Sequence, residues 1–265
     1  MPVSLPSLLC AALYLIAAAV LALPLWRGRA PHRRLGLWIA AVAVVLHAAI
    51  LISMHRGGID LHFFAALSLV GFCVAAMCLL VNFARPIATL GVIVFPLAAI
   101  LLLVDVFAAP PTMPLPIEWQ IKLHVVFALL GYSVLSVAAL LAILLAVQEH
   151  ALRQRQVGGF AAALPPLTLT ESLMFQLIGA GFVLLTLTLL SGVLFVENLF
   201  EQHLIHKTVL SFAAWIIFGT LLFGRWRYGW RGRRAVRLTL SGMALLLLAY
   251  FGTRFVLELV LRRVQ

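Results

Sequence analysis

Four ionisable side chains fall inside long apolar runs of this sequence: His47, Asp105, His124 and Arg254, with Glu258 near the end of the last run. A charge surrounded by hydrocarbon is costly, so each is a candidate for chemistry. An imidazole offers a proton carrier or a metal-ligating nitrogen. Two histidines at one depth on different helices suit haem iron, which takes an axial ligand from each side. The competing reading is an interhelical hydrogen bond and nothing more. The planar fork of Arg254 matches a carboxylate, either a haem propionate or the nearby Asp105 or Glu258. His203 and His206 form a His-x-x-His pair without a third ligand, a weak metal signal. His55 and His62 read as surface groups outside the membrane, His32 and His150 as cytoplasmic ones.

Helices must position these groups. Of 265 residues, 65% are hydrophobic and 10% charged, too few charges to cover a soluble domain of this size. A span takes about 20 apolar residues. Eight stretches qualify, roughly 5–25, 37–54, 63–83, 87–107, 121–147, 173–195, 209–223 and 238–260. The expected fold is all-α: a polytopic membrane helix bundle of about eight transmembrane helices, forming one integral membrane domain over residues 1–265. The first run has no basic residue ahead of it, and Arg27 and Arg29 follow it. Cleavable signals have the opposite order, so this run reads as a first span.

The 19 Lys and Arg outnumber the 8 Asp and Glu, but they stand between apolar runs rather than in a nucleic-acid-binding patch. The partner they imply is the lipid bilayer, with no nucleic acid. Thirteen of them lie on the odd-numbered connections, including Arg27, Arg29, Arg33 and Arg34 on the first and the six arginines between Arg225 and Arg237 on the seventh. The positive-inside rule makes those connections cytoplasmic and puts both termini outside. His47 and His124 then each sit on the order of 10 Å below the outer boundary. In the fifth connection Leu164–Pro165–Pro166 breaks the helix, Thr170 is placed to cap the sixth helix, and Glu171 suits its first turn.

Cys10, Cys73 and Cys78 form no Cys-x-x-Cys pair, and the last two point to different faces of one helix. GxxxxGK[ST], HExxH and GxSxG are all absent. Nucleotide hydrolysis, metalloprotease and esterase chemistry therefore have no support, and no catalytic residue is assigned.

Residues 119–149, WQIKLHVVFALLGYSVLSVAALLAILLAVQE, together with residues 197–225, GWRGRRA at 229–235 and LAYFGTRFVLE, resemble the cytochrome c assembly membrane proteins. The nearest branch is YpjD/HemX-like, related to the CcsA and CcmC haem-handling proteins, with the best resemblance over 60–263. The resemblance implies an eight-helix inner-membrane protein that handles haem. It implies that His124, within Leu123–Val125, is a haem ligand. The run Lys207–Trp215 is similar to the segment that follows the family's tryptophan-rich haem loop. The stretch before it, ENLFEQHLIH, holds no tryptophan, and 250–255 holds no histidine. Depth, not resemblance, nominates His47 as the second iron ligand. The expected function is thus a haem-binding or haem-translocating component without catalytic turnover, using His124, His47 and Arg254. Its partners would be haem and other cytochrome c assembly proteins or another membrane subunit. The alternatives are a permease subunit for another solute, using Asp105 and the histidines for ions or protons, and a regulatory or scaffolding subunit.

Overall fold

A long apolar run has one way to satisfy its backbone in lipid without neighbours, which is to close its hydrogen bonds internally as a helix. The computed structural model describes residues 4–26, 32–54, 63–85, 87–108, 118–154, 164–195 and 202–252, and no strand occurs among them. Among the described residues, eight helices are each long and apolar enough to cross a membrane. They are α1 (Ser4–Trp26), α2 (Arg33–Met54), α3 (Phe63–Ala84), α4 (Gly91–Ala108), α5 (Trp119–Arg153), α6 (Leu167–Phe195), α7 (Gln202–Tyr228) and α8 (Gly232–Leu247). A 3-10 turn, Ala88–Leu90, leads into α4, and a π-helical turn, Leu248–Gly252, follows α8.

The all-α, eight-helix expectation holds, while several helix ends differ from the apolar runs. α7 is 27 residues long, because its polar ends continue the helix beyond the hydrocarbon-length core. Arg225 and Arg227 in its last turn complement the helix dipole. α6 starts at Leu167, directly after Pro165 and Pro166. Thr170 is therefore not its cap but a buried residue of its first turn.

The chain divides into two compact units. The first comprises Met1–Pro116 and Val147–Leu167. In it, α1 packs against α2 and α4, and α3 packs against α4 and α2, closing a cycle of four helices. Tyr14, Leu21, Phe95 and Leu102 fill the interior, while Leu23, Trp38, Val45 and Ile52 are exposed. Apolar residues on both faces are what a lipid solvent permits. α1 and α2 approach closely at Gly36, where a Cβ would lie 2.6 Å from Leu21 Cδ2. The Arg33 guanidinium donates to the Asn82 carbonyl, joining the start of α2 to α3. Gln148 Nε2 donates to the Pro165 carbonyl at 2.9 Å, tying the segment before α6 to the end of α5.

The second unit comprises Ile117–Ala146 and Thr168–Gln265. Gly242 of α8 receives the Phe218 ring of α7, and Gly181 of α6 receives Leu135 of α5. α7 ends in a left-handed glycine cap: Gly229 N–H donates to the Arg225 carbonyl at 3.1 Å, and Trp230 N–H reaches back to the Gly224 carbonyl at 3.2 Å. Gly229 takes φ +64° there, a backbone region costly for any residue with a Cβ. Glu171, only 3% exposed, accepts from Arg231 Nη2 at 2.6 Å and from Arg225 Nη1 at 3.5 Å. Arg231 Nε also lies 3.0 Å from each carboxylate oxygen. The carboxylate raises the Arg231 pKa further above its ordinary value, chiefly through these hydrogen bonds.

Candidate haem-ligand site

His124 stands in the second turn of α5 and is half-buried. Its Nδ1 lies 3.0 Å from Ser191 Oγ on α6. A serine hydroxyl has one hydrogen to donate, and Ser191 donates it to the Thr188 carbonyl at 3.0 Å. The Ser191 oxygen then accepts from His124 Nδ1–H, which leaves the lone pair on Nε2. Among the described residues the ring's hydrogen-bonding neighbours are Ser191 and the Thr188 carbonyl, both on α6, and no side chain meets Nε2. A histidine anchored through one nitrogen and bare at the other is the arrangement a metal ligand needs. Gly192 makes room for the ring, since a Cβ there would sit 3.3 Å from His124 Cε1. Trp119 and Phe195, at the near ends of the same two helices, have ring centroids 6.1 Å apart.

Below this point the unit is lined with aromatic rings. Trp215 Nε1 donates to Thr186 Oγ1 at 2.9 Å. Its ring stacks with Phe182 at 5.4 Å and Phe212 at 5.5 Å. Tyr132 of α5 donates its hydroxyl to the Leu246 carbonyl of α8, next to the π-helical turn. A π turn widens the backbone and shifts its hydrogen-bond register, so an outside donor at Leu246 completes the local pairing. Lys207 Nζ lies 6.0 Å from the ring centroid of Tyr250, a residue of that turn.

His47 belongs to the first unit and has a different setting. It is fully buried. Nδ1 lies 3.3 Å from the Tyr14 hydroxyl of α1, and Nε2 lies 3.3 Å from Ser68 Oγ of α3. Phe72 meets the ring edge-on at 5.5 Å. Since neutral imidazole donates through one nitrogen and accepts through the other, Tyr14, His47 and Ser68 form one directional chain across three helices.

The sequence pattern of the cytochrome c assembly protein family matches residues 32–261. The chain belongs to that family. Over 137 residues it is 42% identical to the inner membrane protein YpjD of Escherichia coli K12, covering 52% of each chain. It is 36% identical over 143 residues to a 28.8 kDa protein of Azospirillum brasilense, 53% of each. Over 165 residues it is 26% identical to the cytochrome c biogenesis protein CcsA of Guillardia theta, covering 56% of this chain and 54% of that one. The chain thus spans about half the length of the curated relatives it matches. No solved structure matches. With its eight membrane-length helices, this cytochrome c assembly family member is a multi-pass inner-membrane protein.

The other sequence-nominated groups of this family member fall as follows. Arg254 and Glu258 lie outside the described residues, as do His55 and His62. The side chain of His203 is likewise outside them, and His206 is exposed at the start of α7. Asp105 is buried in the first unit, near the end of α4. Among the described residues no group of three or more His, Cys, Asp or Glu converges on a metal-sized point. Sequence reasoning missed Ser191, Tyr14 and Ser68, because a serine or tyrosine in an apolar run carries no mark of which distant helix it will meet. Glu171 had a signal, as an acid between basic connections, but its arginine partners are 54 and 60 residues away.

Proposed function

We propose that this chain binds and hands on haem during cytochrome c assembly, as a binding component without catalytic turnover, with His124 as an iron ligand. The observation that carries this is the His124–Ser191–Thr188 relay, which anchors Nδ1 and leaves Nε2 without a side-chain partner among the described residues. Family membership supports the cargo, since several relatives are named for cytochrome c biogenesis. Arg254 is proposed for a propionate on the chemistry of its fork. His47 enters as the second ligand only by giving up Tyr14 or Ser68, so the reading rests on His124 alone.

Folded protein in detergent, supplied with haem, should show a Soret band that His124→Ala loses. A folded wild-type preparation that stays colourless overturns the assignment. His47→Ala decides the second ligand: retention of the band assigns His47 to structure, and loss or conversion to high-spin iron makes it a ligand. Replacing both His203 and His206 by alanine should leave the band intact. The proposed orientation puts both termini outside, so a reporter active only in the cytoplasm and fused after Gln265 should stay silent.

A further inference from the structure

The turn from α7 into α8 carries six arginines in the thirteen residues 225–237. Their surroundings divide them. Arg225 and Arg231 are engaged by the buried carboxylate of Glu171. Arg233, Arg234 and Arg237 are exposed and make no ion pair among the described residues. Their spacing puts them along one side of α8, while Ala235, Val236 and Thr239 are buried. The Arg234 guanidinium lies 4.8 Å from the ring centroid of Trp230, which itself packs on Gly224, so one arm of the patch is held in place. Like charges so close together repel, and no side chain of the described residues neutralises them. An external anion of matching size would do so.

The neighbouring rings indicate which anion. Trp226 is 81% exposed and Tyr228 is 65% exposed at the end of the membrane-spanning α7. Amphipathic rings in that position rest at the headgroup level of a bilayer. The arginines begin within a few residues of them, and a guanidinium fork matches a phosphodiester in geometry as well as charge. We propose that Arg233, Arg234 and Arg237 bind the headgroup of an anionic phospholipid at this end of α7 and α8. The site is independent of haem and of His124.

Native mass spectrometry of the full chain, released from micelles holding phosphatidylglycerol and phosphatidylcholine of equal acyl length, tests this. The wild type should retain phosphatidylglycerol preferentially. R233Q/R234Q/R237Q should lose that preference, by about fivefold for each arginine removed. The charge-matched variant R34Q/R85Q/R153Q, altered at exposed arginines elsewhere, should keep it. Equal loss in the two triple variants would mean diffuse attraction and overturn the site. Release of the lipid by excess inorganic phosphate from the wild type, with no phosphatidylglycerol preference left, would assign the arginines to a soluble anion and overturn the lipid. The wild type also provides a test that needs no variant to fold: phosphatidylglycerol must raise its Tm above the value in phosphatidylcholine, and equal Tm values overturn the proposal.

Discussion

His47 and His124 are the same side chain in two comparable apolar helices, yet their settings oppose each other. His47 is sealed, with Tyr14 on one nitrogen and Ser68 on the other. His124 is half-buried, with Ser191 on Nδ1 and no side chain on Nε2 among the described residues. A fully satisfied imidazole joins helices, because removing it strands two polar partners in a region without water. A half-satisfied imidazole keeps a lone pair for a ligand while its other nitrogen fixes the ring. On the proposed function, the number of hydrogen bonds, more than burial or apolar context, would separate a joining histidine from a ligating one.

The comparison can be broken most directly at His124. His124→Ala should weaken haem binding by more than the roughly 10–100-fold typical of losing a supporting residue, read by Soret titration. Ser191→Ala should cost about tenfold in the same titration, because it frees the ring to rotate while leaving the ligand present. An unchanged affinity in Ser191→Ala would mean the relay does not orient the ring. On the other side, His47→Ala should lower stability by about 1–3 kcal/mol by stranding Tyr14 and Ser68, seen as a fall in the thermal midpoint, with the Soret titration unmoved. Outside both histidine sites, Gly229→Ala should cost about 1 kcal/mol from its positive φ alone and leave haem affinity untouched. Ser68→Ala should have the smallest effect, about 0.6 kcal/mol, the usual size of one interhelical hydrogen bond in a membrane. A Ser68→Ala loss as large as that of His47→Ala would place the whole weight of the chain on one bond.

The eight helices were legible in the sequence because length and apolarity in lipid are properties of each segment alone. Their ends were less so. The helical backbone of α7 runs on through polar residues, and α6 starts three residues ahead of Thr170, because hydropathy marks the hydrocarbon layer and not the hydrogen-bonded ladder. The resemblance around Leu123–Val125 nominated His124, while its partner Ser191 on α6 carried no mark in the sequence.

By itself the sequence determined the helix count, the break at Pro165–Pro166, the concentration of arginine on alternate connections and the family. All of these follow from local composition or from motifs read in order. Tertiary structure alone decided that Ser191 meets His124, that Tyr14 and Ser68 meet His47, and that Glu171 engages two of six clustered arginines and leaves others exposed. These pairings join residues 21 to 67 positions apart. Lipid satisfies any apolar face equally well, so hydrophobicity cannot specify which helix faces which. Packing and the few polar groups that must find one another make that choice.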